Sequence, residues 1–232
     1  GSKIVILDAY TADEMNVLSV LDDAAYTGFF INGDKLVAFE TQNFNWNQVL
    51  EQQEEEYAKD SLDKSPERSY TPPEQYSRQS SFIKVFDVSD RTEPEFVKKM
   101  VFQGNYLTAR MIGDRVYSVF TEHATPQNPR PVYAVDDELA VVKPQEINYF
   151  DYEANGYRET SNYQFTTIIG LDLSDLEKQE SRKIVLMDNA QNLFVSKDNA
   201  FVTYTRVNSA YRSWDTEGDS LPPFPGDEYS EY

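Results

Sequence analysis

With 232 residues, 40 acidic against 21 basic side chains, no cysteine and one histidine, the chain carries a formal charge of −19. The length suffices for a sizeable core, while the charge argues against a nucleic-acid partner, whose phosphates demand clustered Lys and Arg. Without cysteine there are no disulfides, thiolate zinc sites or cysteine nucleophiles, and His123 alone cannot make a multi-histidine metal site.

Tyr (16) and Phe (14) are abundant, and Val, Ile and Thr gather in bursts between Asp, Asn, Gly and Pro. That punctuation predicts short strands with tight turns, an all-β chain. No apolar run reaches the roughly 18–20 residues of a transmembrane segment. The Gly1-Ser2 start reads as a cloning remnant, so any signal peptide is expected to have been removed.

In chain order, the first expected strand is Lys3 to Asp8, apolar and ending in aspartate. An alternating strand follows, Asn16 to Leu21, then a hairpin of Thr27–Ile31 with Lys35–Phe39 around Asn32-Gly33-Asp34, a turn whose glycine supplies positive φ. Residues 42–80 read as an insertion. Asn45 and Gln48 there fit a capping box, and Trp46, Val49, Leu50 and Tyr57 recur at helical spacing, which predicts a short amphipathic helix at about 46–60. The pattern then restarts with Ile83–Asp87, Glu95–Phe102 and a hairpin of Tyr106–Met111 with Arg115–Phe120 around Ile112-Gly113-Asp114. A second insertion, 122–163, is proline-containing and then acidic and Tyr-rich. The third copy runs Ile168–Asp172, Ser181–Met187 and Asn192–Val195 with Ala200–Tyr204, before a last insertion at 207–232.

Three copies of one layout therefore occupy residues 3–41, 82–121 and 166–206. Four antiparallel strands per repeat of about 40 residues is the pattern of a β-propeller blade. With each tight hairpin as the inner strand pair, the chain is read as a single partial propeller domain, 1–232. It holds blade-like units 27–102 and 106–187 and half-blades 3–21 and 191–206. Joined, the halves would bring the total to three, below the roughly 4–8 blades of a closed ring.

The segments Ile83–Asp90 (IKVFDVSD), Tyr106–Tyr117 (YLTARMIGDRVY), Phe165–Leu173 (FTTIIGLDL) and Gln191–Asn199 (QNLFVSKDN) resemble the secreted proteins with a C-terminal β-propeller domain found mainly in archaea. The resemblance covers the repeat strands and leaves the insertions poorly matched. It implies an extracellular or cell-envelope location, and it carries over no catalytic residues.

Candidate chemistry is sparse. Asp8, Asp87 and Asp172, one per repeat, suit Asx-type turns, with cation binding as the other reading. His123, after an inner strand, could meet ligand or act as acid–base, but no nucleophile motif accompanies it. Asp215, Glu217 and Asp219 alternate as in a calcium loop, making calcium the one cofactor expected. The loop lacks glycine at its sixth position, and Gly226 stands where the terminal glutamate belongs, so a solvated acidic loop is the favoured reading and calcium the alternative.

The expected function is a non-catalytic extracellular binding or scaffold module. It would recognise protein or glycan through acidic insertions, with Tyr133, Tyr149, Tyr152 and Tyr157 as stiff amphipathic contacts. The alternatives are an extracellular hydrolase or lyase with channel-facing carboxylates, and a self-associating envelope component. Partners expected are thus a surface protein or glycan, the remaining blades of a propeller, or a second copy in a homodimer.

Overall fold

A computed structural model describes residues 2–10, 14–46, 77–124, 130–140, 142–149, 163–187, 190–196 and 199–204. Fifteen strands and one 3₁₀ turn at Pro144–Glu146 make up the regular structure of these residues. Among them no helix is long and apolar enough to cross a membrane.

The strands form two large sheets flanked by two hairpin-like pairs. At the N-terminal end β1 (Ser2–Asp8) pairs with β2 (Asn16–Ala24). Sheet I is built on β3 (Tyr26–Asn32), β4 (Lys35–Asn45), β5 (Ser77–Asp87) and β6 (Glu95–Phe102), paired antiparallel in sequence order. Sheet II repeats the layout with β7 (Asn105–Ile112), β8 (Arg115–His123), β12 (Gln164–Asp172) and β13 (Ser181–Met187). A last pair, β14 (Ala190–Val195) with β15 (Ala200–Tyr204), lies against β7 and β8.

The hairpins form where the sequence demands them. Gly33 and Gly113 take φ of +58° and +56°, a left-handed backbone that glycine adopts without a Cβ penalty. Strand alternation then sends residues to both faces, because each sheet is covered on both. Val37, Phe39, Ile83 and Val85 of sheet I meet Val116, Phe120, Ile169 and Leu171 of sheet II in the main core. On the opposite face of sheet I, Leu36, Ala38 and Phe86 pack against Ile4 of β1. Sheet I is thus sandwiched between β1–β2 and sheet II. The hairpin tips of the two sheets are tied as well: Asn32 Nδ2 donates to Asp114 Oδ1 at 2.6 Å and to the Gly113 carbonyl at 3.3 Å.

Two features depart from the expected outline. β4 and β5 run on to Asn45 and back from Ser77, into what reads as insertion, since a polar strand still completes ladder hydrogen bonds. Trp46 at its end is fully buried, stacked edge-on against Phe44, with its indole N–H donating to Ser80 Oγ at 2.9 Å. The helix expected at about 46–60 falls, beyond Trp46, outside the described residues.

The second departure is larger. The stretch 122–163, read as an insertion with no strand assigned to it, contributes β9 (Tyr133–Val135), β10 (Glu138–Leu139) and β11 (Ile147–Tyr149). The β9–β10 hairpin pairs with β6 and makes sheet I six-stranded, whereas β11 adds to β13 in parallel and makes sheet II five-stranded. One insertion therefore covers the outer edges of two neighbouring sheets. Covering an edge removes the unpaired N–H and C=O groups that invite aggregation.

Candidate functional site

The two ends of the stacked sheets differ in chemistry. At the hairpin-tip end, each Asp-terminated strand closes its own turn. Asp87 Oδ1 accepts the Ser89 N–H at 2.8 Å, Asp172 Oδ1 accepts the Ser174 N–H at 3.1 Å, and Asp8 Oδ1 accepts the Tyr10 N–H at 3.1 Å. On Asp87 and Asp172 the second oxygen faces a cation from the inner hairpin: Lys35 Nζ lies 2.5 Å from Asp87 Oδ2, and Arg115 Nε lies 3.9 Å from Asp172 Oδ2. The Lys35 ammonium holds the Asp87 carboxyl well below the usual range, and the Ser174 hydroxyl and N–H do the same for Asp172. All three carboxylates make Asx-type turns, and those of Asp87 and Asp172 make corner ion pairs as well.

The opposite end is where the inner strands hand over to the insertions. β4 ends with Asn45 opposite Ser77, and β8 ends with His123 opposite Gln164. Because the tips of both inner hairpins are tied together, both handovers leave from the same end of adjacent sheets. A crevice of about 10 Å³, room for roughly one water, opens there between Gly104, Glu122, Pro131 and Tyr133. Glu122 Oε2 accepts the Val132 N–H at 3.1 Å, anchoring the chain as it enters β9.

Beside the crevice a polar cluster joins the two sheets. Tyr133 Oη donates to Glu180 Oε1 at 2.9 Å and accepts from Arg182 Nη1 at 2.8 Å. The other guanidinium nitrogen donates to both carboxylate oxygens of Glu146 at 2.8 and 2.9 Å, and Glu146 also accepts the Lys143 N–H at 2.7 Å. Burial pushes the Tyr133 phenol far above its ordinary range, which keeps the proton it donates to Glu180. Arg182 pulls the Glu146 carboxyl down. Burial opposes the charge on Arg182, yet Glu146 and Tyr133 outweigh it and the guanidinium is held charged.

The residues expected to meet a ligand are dispersed. Tyr133 is 1% exposed, its ring stacked on Phe102, so it is a core residue with no face for an outside molecule. Its aromatic body fills the space between the sheets, and its hydroxyl finds partners inside, which is how a buried Tyr is accommodated. Tyr149 ends β11 and is 74% exposed. His123 ends β8, exposed at the insertion end. Tyr152, Tyr157, Asp215, Glu217 and Asp219 lie outside the described residues, and among the described residues no three His, Asp or Glu side chains gather as a metal site.

Sequence reasoning missed Arg182, Glu146 and Glu180. The available signal was a cation inside the apolar strand Ser181–Met187, a position that calls for a buried acceptor. It missed Glu40 in the same way. Glu40 is fully buried on β4, 2.6 Å from Lys84 Nζ and 2.8 Å from Gln42 Nε2, with its second oxygen unpartnered.

Face-to-face antiparallel sheets, each starting from a tight inner hairpin and finishing with an Asp-cornered outer pair, define the blade array of a β-propeller, here not closed into a ring. The family model of the beta propeller domain matches residues 1–222, and the chain belongs to that family. No curated protein and no solved structure matches it.

Proposed function

We propose that the chain is a non-catalytic recognition or scaffold module of the cell surface, binding a protein or glycan with the insertion end of its blades. The observation that carries this reading is the common exit of the β4–β5 and β8–β12 connections from one end of two blades packed rigidly together. Rigid sheets that project long connections on one side are the usual platform for recognition loops. The connections are acidic and Tyr-bearing, a composition suited to partners that offer cations or hydrogen-bonding hydroxyls. Tyr149 supplies one accessible aromatic contact there. The extracellular setting rests on the sequence resemblance, and calcium at Asp215, Glu217 and Asp219 belongs to the same reading.

The test applies the full chain to a glycan array and to a panel of immobilised cationic proteins, and follows the same mixtures for product release by mass spectrometry. The reading expects saturable retention that Tyr149→Ala weakens roughly tenfold and that Asn32→Ala, at the hairpin tips, leaves unchanged. Turnover of a polysaccharide or peptide that His123→Ala abolishes would replace it with a hydrolase or lyase. Retention indifferent to Tyr149→Ala, or no retention at all, would also overturn it.

A further inference from the structure

One contact between the two large sheets rests on a side chain that can change its own chemistry. Asn32 ends β3 at the tip of the inner hairpin of sheet I, opposite Lys35. Its Nδ2 reaches across to Asp114 Oδ1 at 2.6 Å and to the Gly113 carbonyl at 3.3 Å, both in the inner turn of sheet II. The matching residue of sheet II is Ile112, opposite Arg115, which has no polar group to offer. This tie therefore runs through the amide nitrogen of Asn32.

Asn32 is followed by Gly33, the setting in which a thermolabile asparagine is least protected, because no Cβ shields the glycine nitrogen. A Cβ built at Gly33 would meet nothing within 4 Å, so the turn is open around the bond that would react. Asn32 itself is only half-buried. We propose that Asn32-Gly33 is a self-modification site, where deamidation turns the tie between the blade tips into a repulsion. The Gly33 backbone nitrogen bonds to Asn32 Cγ and gives up its proton to solvent base, while the Cγ–Nδ2 bond breaks and the nitrogen leaves as ammonia. Water then opens the cyclic imide at either carbonyl, to aspartate or isoaspartate. Water is the one reactant consumed, and nothing is oxidised or reduced.

Either product replaces an N–H donor by a carboxylate beside the Asp114 carboxylate, and two such charges at hydrogen-bond distance repel. Lys35, opposite the new charge, is already engaged with Asp87. The same contact governs the rate. Ring closure requires the carboxamide to turn over its own backbone, and both hydrogen bonds hold Nδ2 toward sheet II instead. The tie thus guards the residue that makes it: an opened tip lets Asn32 react, and the reaction keeps the tip open.

Peptide mapping by mass spectrometry, after the full chain has stood in warm, mildly alkaline buffer, tests the site. Acid is expected to accumulate at position 32 of the native chain, and about tenfold faster in Asp114→Ala, which removes one hydrogen bond to a carboxylate. The guanidinium-unfolded chain is expected to convert faster than the native one. The effect of the product is read on Asn32→Asp. Its urea midpoint should fall below that of Asn32→Ala, which only loses the bond, and Asn32→Asp with Asp114→Asn, where donor and acceptor change places, should recover it. Asparagine persisting at position 32 of the native chain while the unfolded chain converts completely would overturn the proposal. So would a native rate equal to the unfolded one or unchanged by Asp114→Ala, or an Asn32→Asp chain as stable as Asn32→Ala.

Discussion

Arg182 on β13 donates to the phenol oxygen of Tyr133 on β9 at 2.8 Å, a bond between two different sheets. The blades are therefore held together by a polar clasp at their outer edges as well as by the apolar core between them. The clasp exists because the insertion after β8 folds back on sheet I before returning to sheet II.

Removing either half of the clasp is expected to weaken the fold unequally. Tyr133→Phe keeps the packed ring and loses the hydroxyl, costing about 1–2 kcal/mol. Arg182→Ala strands Glu146 and the phenol together and costs about 1.5–3 kcal/mol. Arg182→Lys recovers only part of that, because an ammonium cannot bridge both oxygens of Glu146. Urea unfolding of the three variants checks the order.

Gly104 and Gly28 make a matched pair. A Cβ at Gly104 would stand 2.4 Å from the Thr121 carbonyl oxygen, which is backbone and cannot move aside cheaply. Gly104→Ala is expected to cost about 1–3 kcal/mol. A Cβ at Gly28 meets nothing within 4 Å, so Gly28→Ala is expected to be neutral or stabilising by up to about 1 kcal/mol. Thermal melts of the two variants should move in opposite directions, or one should stay still.

The Glu40–Lys84 pair is expected to be necessary only as a pair. Lys84→Met leaves a fully buried carboxylate without its cation, a loss of about 3–5 kcal/mol at complete burial and less here, since the Lys84 side chain is 22% exposed. Replacing both, Glu40→Leu with Lys84→Met, removes the charges together and is expected to restore most of the stability. A double-mutant cycle by urea denaturation measures the coupling.

Acid should unfold the protein partly through its corners and clasp. Asp87, Asp90, Asp172 and Glu146 are all held below their ordinary values by hydrogen bonds and cations in the fold. A folded value below the unfolded one means stability that is complete above about pH 4 and is lost as pH falls through the folded values. Asp87→Asn with Asp172→Asn keeps an acceptor for each turn N–H and removes the titration. The urea midpoint of that variant should fall less steeply than the parent's between about pH 4 and pH 2.

Much of the architecture could be read before any coordinates. Asn32-Gly33-Asp34 and Ile112-Gly113-Asp114 announced their hairpins because tight turns need the φ that glycine takes freely. The strands ending in Asp87 and Asp172 recurred at a fixed place in each repeat, so their turn-making role was visible in spacing alone. The additions at the sheet edges were not legible. Tyr133-Ala134-Val135 is three residues long, too short for periodicity to register, and its partner β6 lies more than thirty positions earlier in the chain. Tyr133 looked like surface because tyrosine suits both a wet rim and a core with a waiting acceptor. Only the approach of sheet II, bringing Arg182 and Glu180 to its hydroxyl, decides between them. Tyr149 and His123 stayed exposed because β11 and β8 each end at that point.

The central structural claim is that the insertion after β8 seals the blade edges, and native-state hydrogen exchange on the full chain tests it most directly. The Lys99 N–H donates to Asp136 Oδ1 at 2.8 Å, and the Gln103 N–H donates to the Val132 carbonyl at 3.1 Å. Both amides should therefore exchange as slowly as those in the interior strands β5 and β12, and Asp136→Ala should release Lys99 while leaving β5 protected. Fast exchange of Lys99 and Gln103 in the parent chain, at the rate of an open sheet edge, would contradict the account.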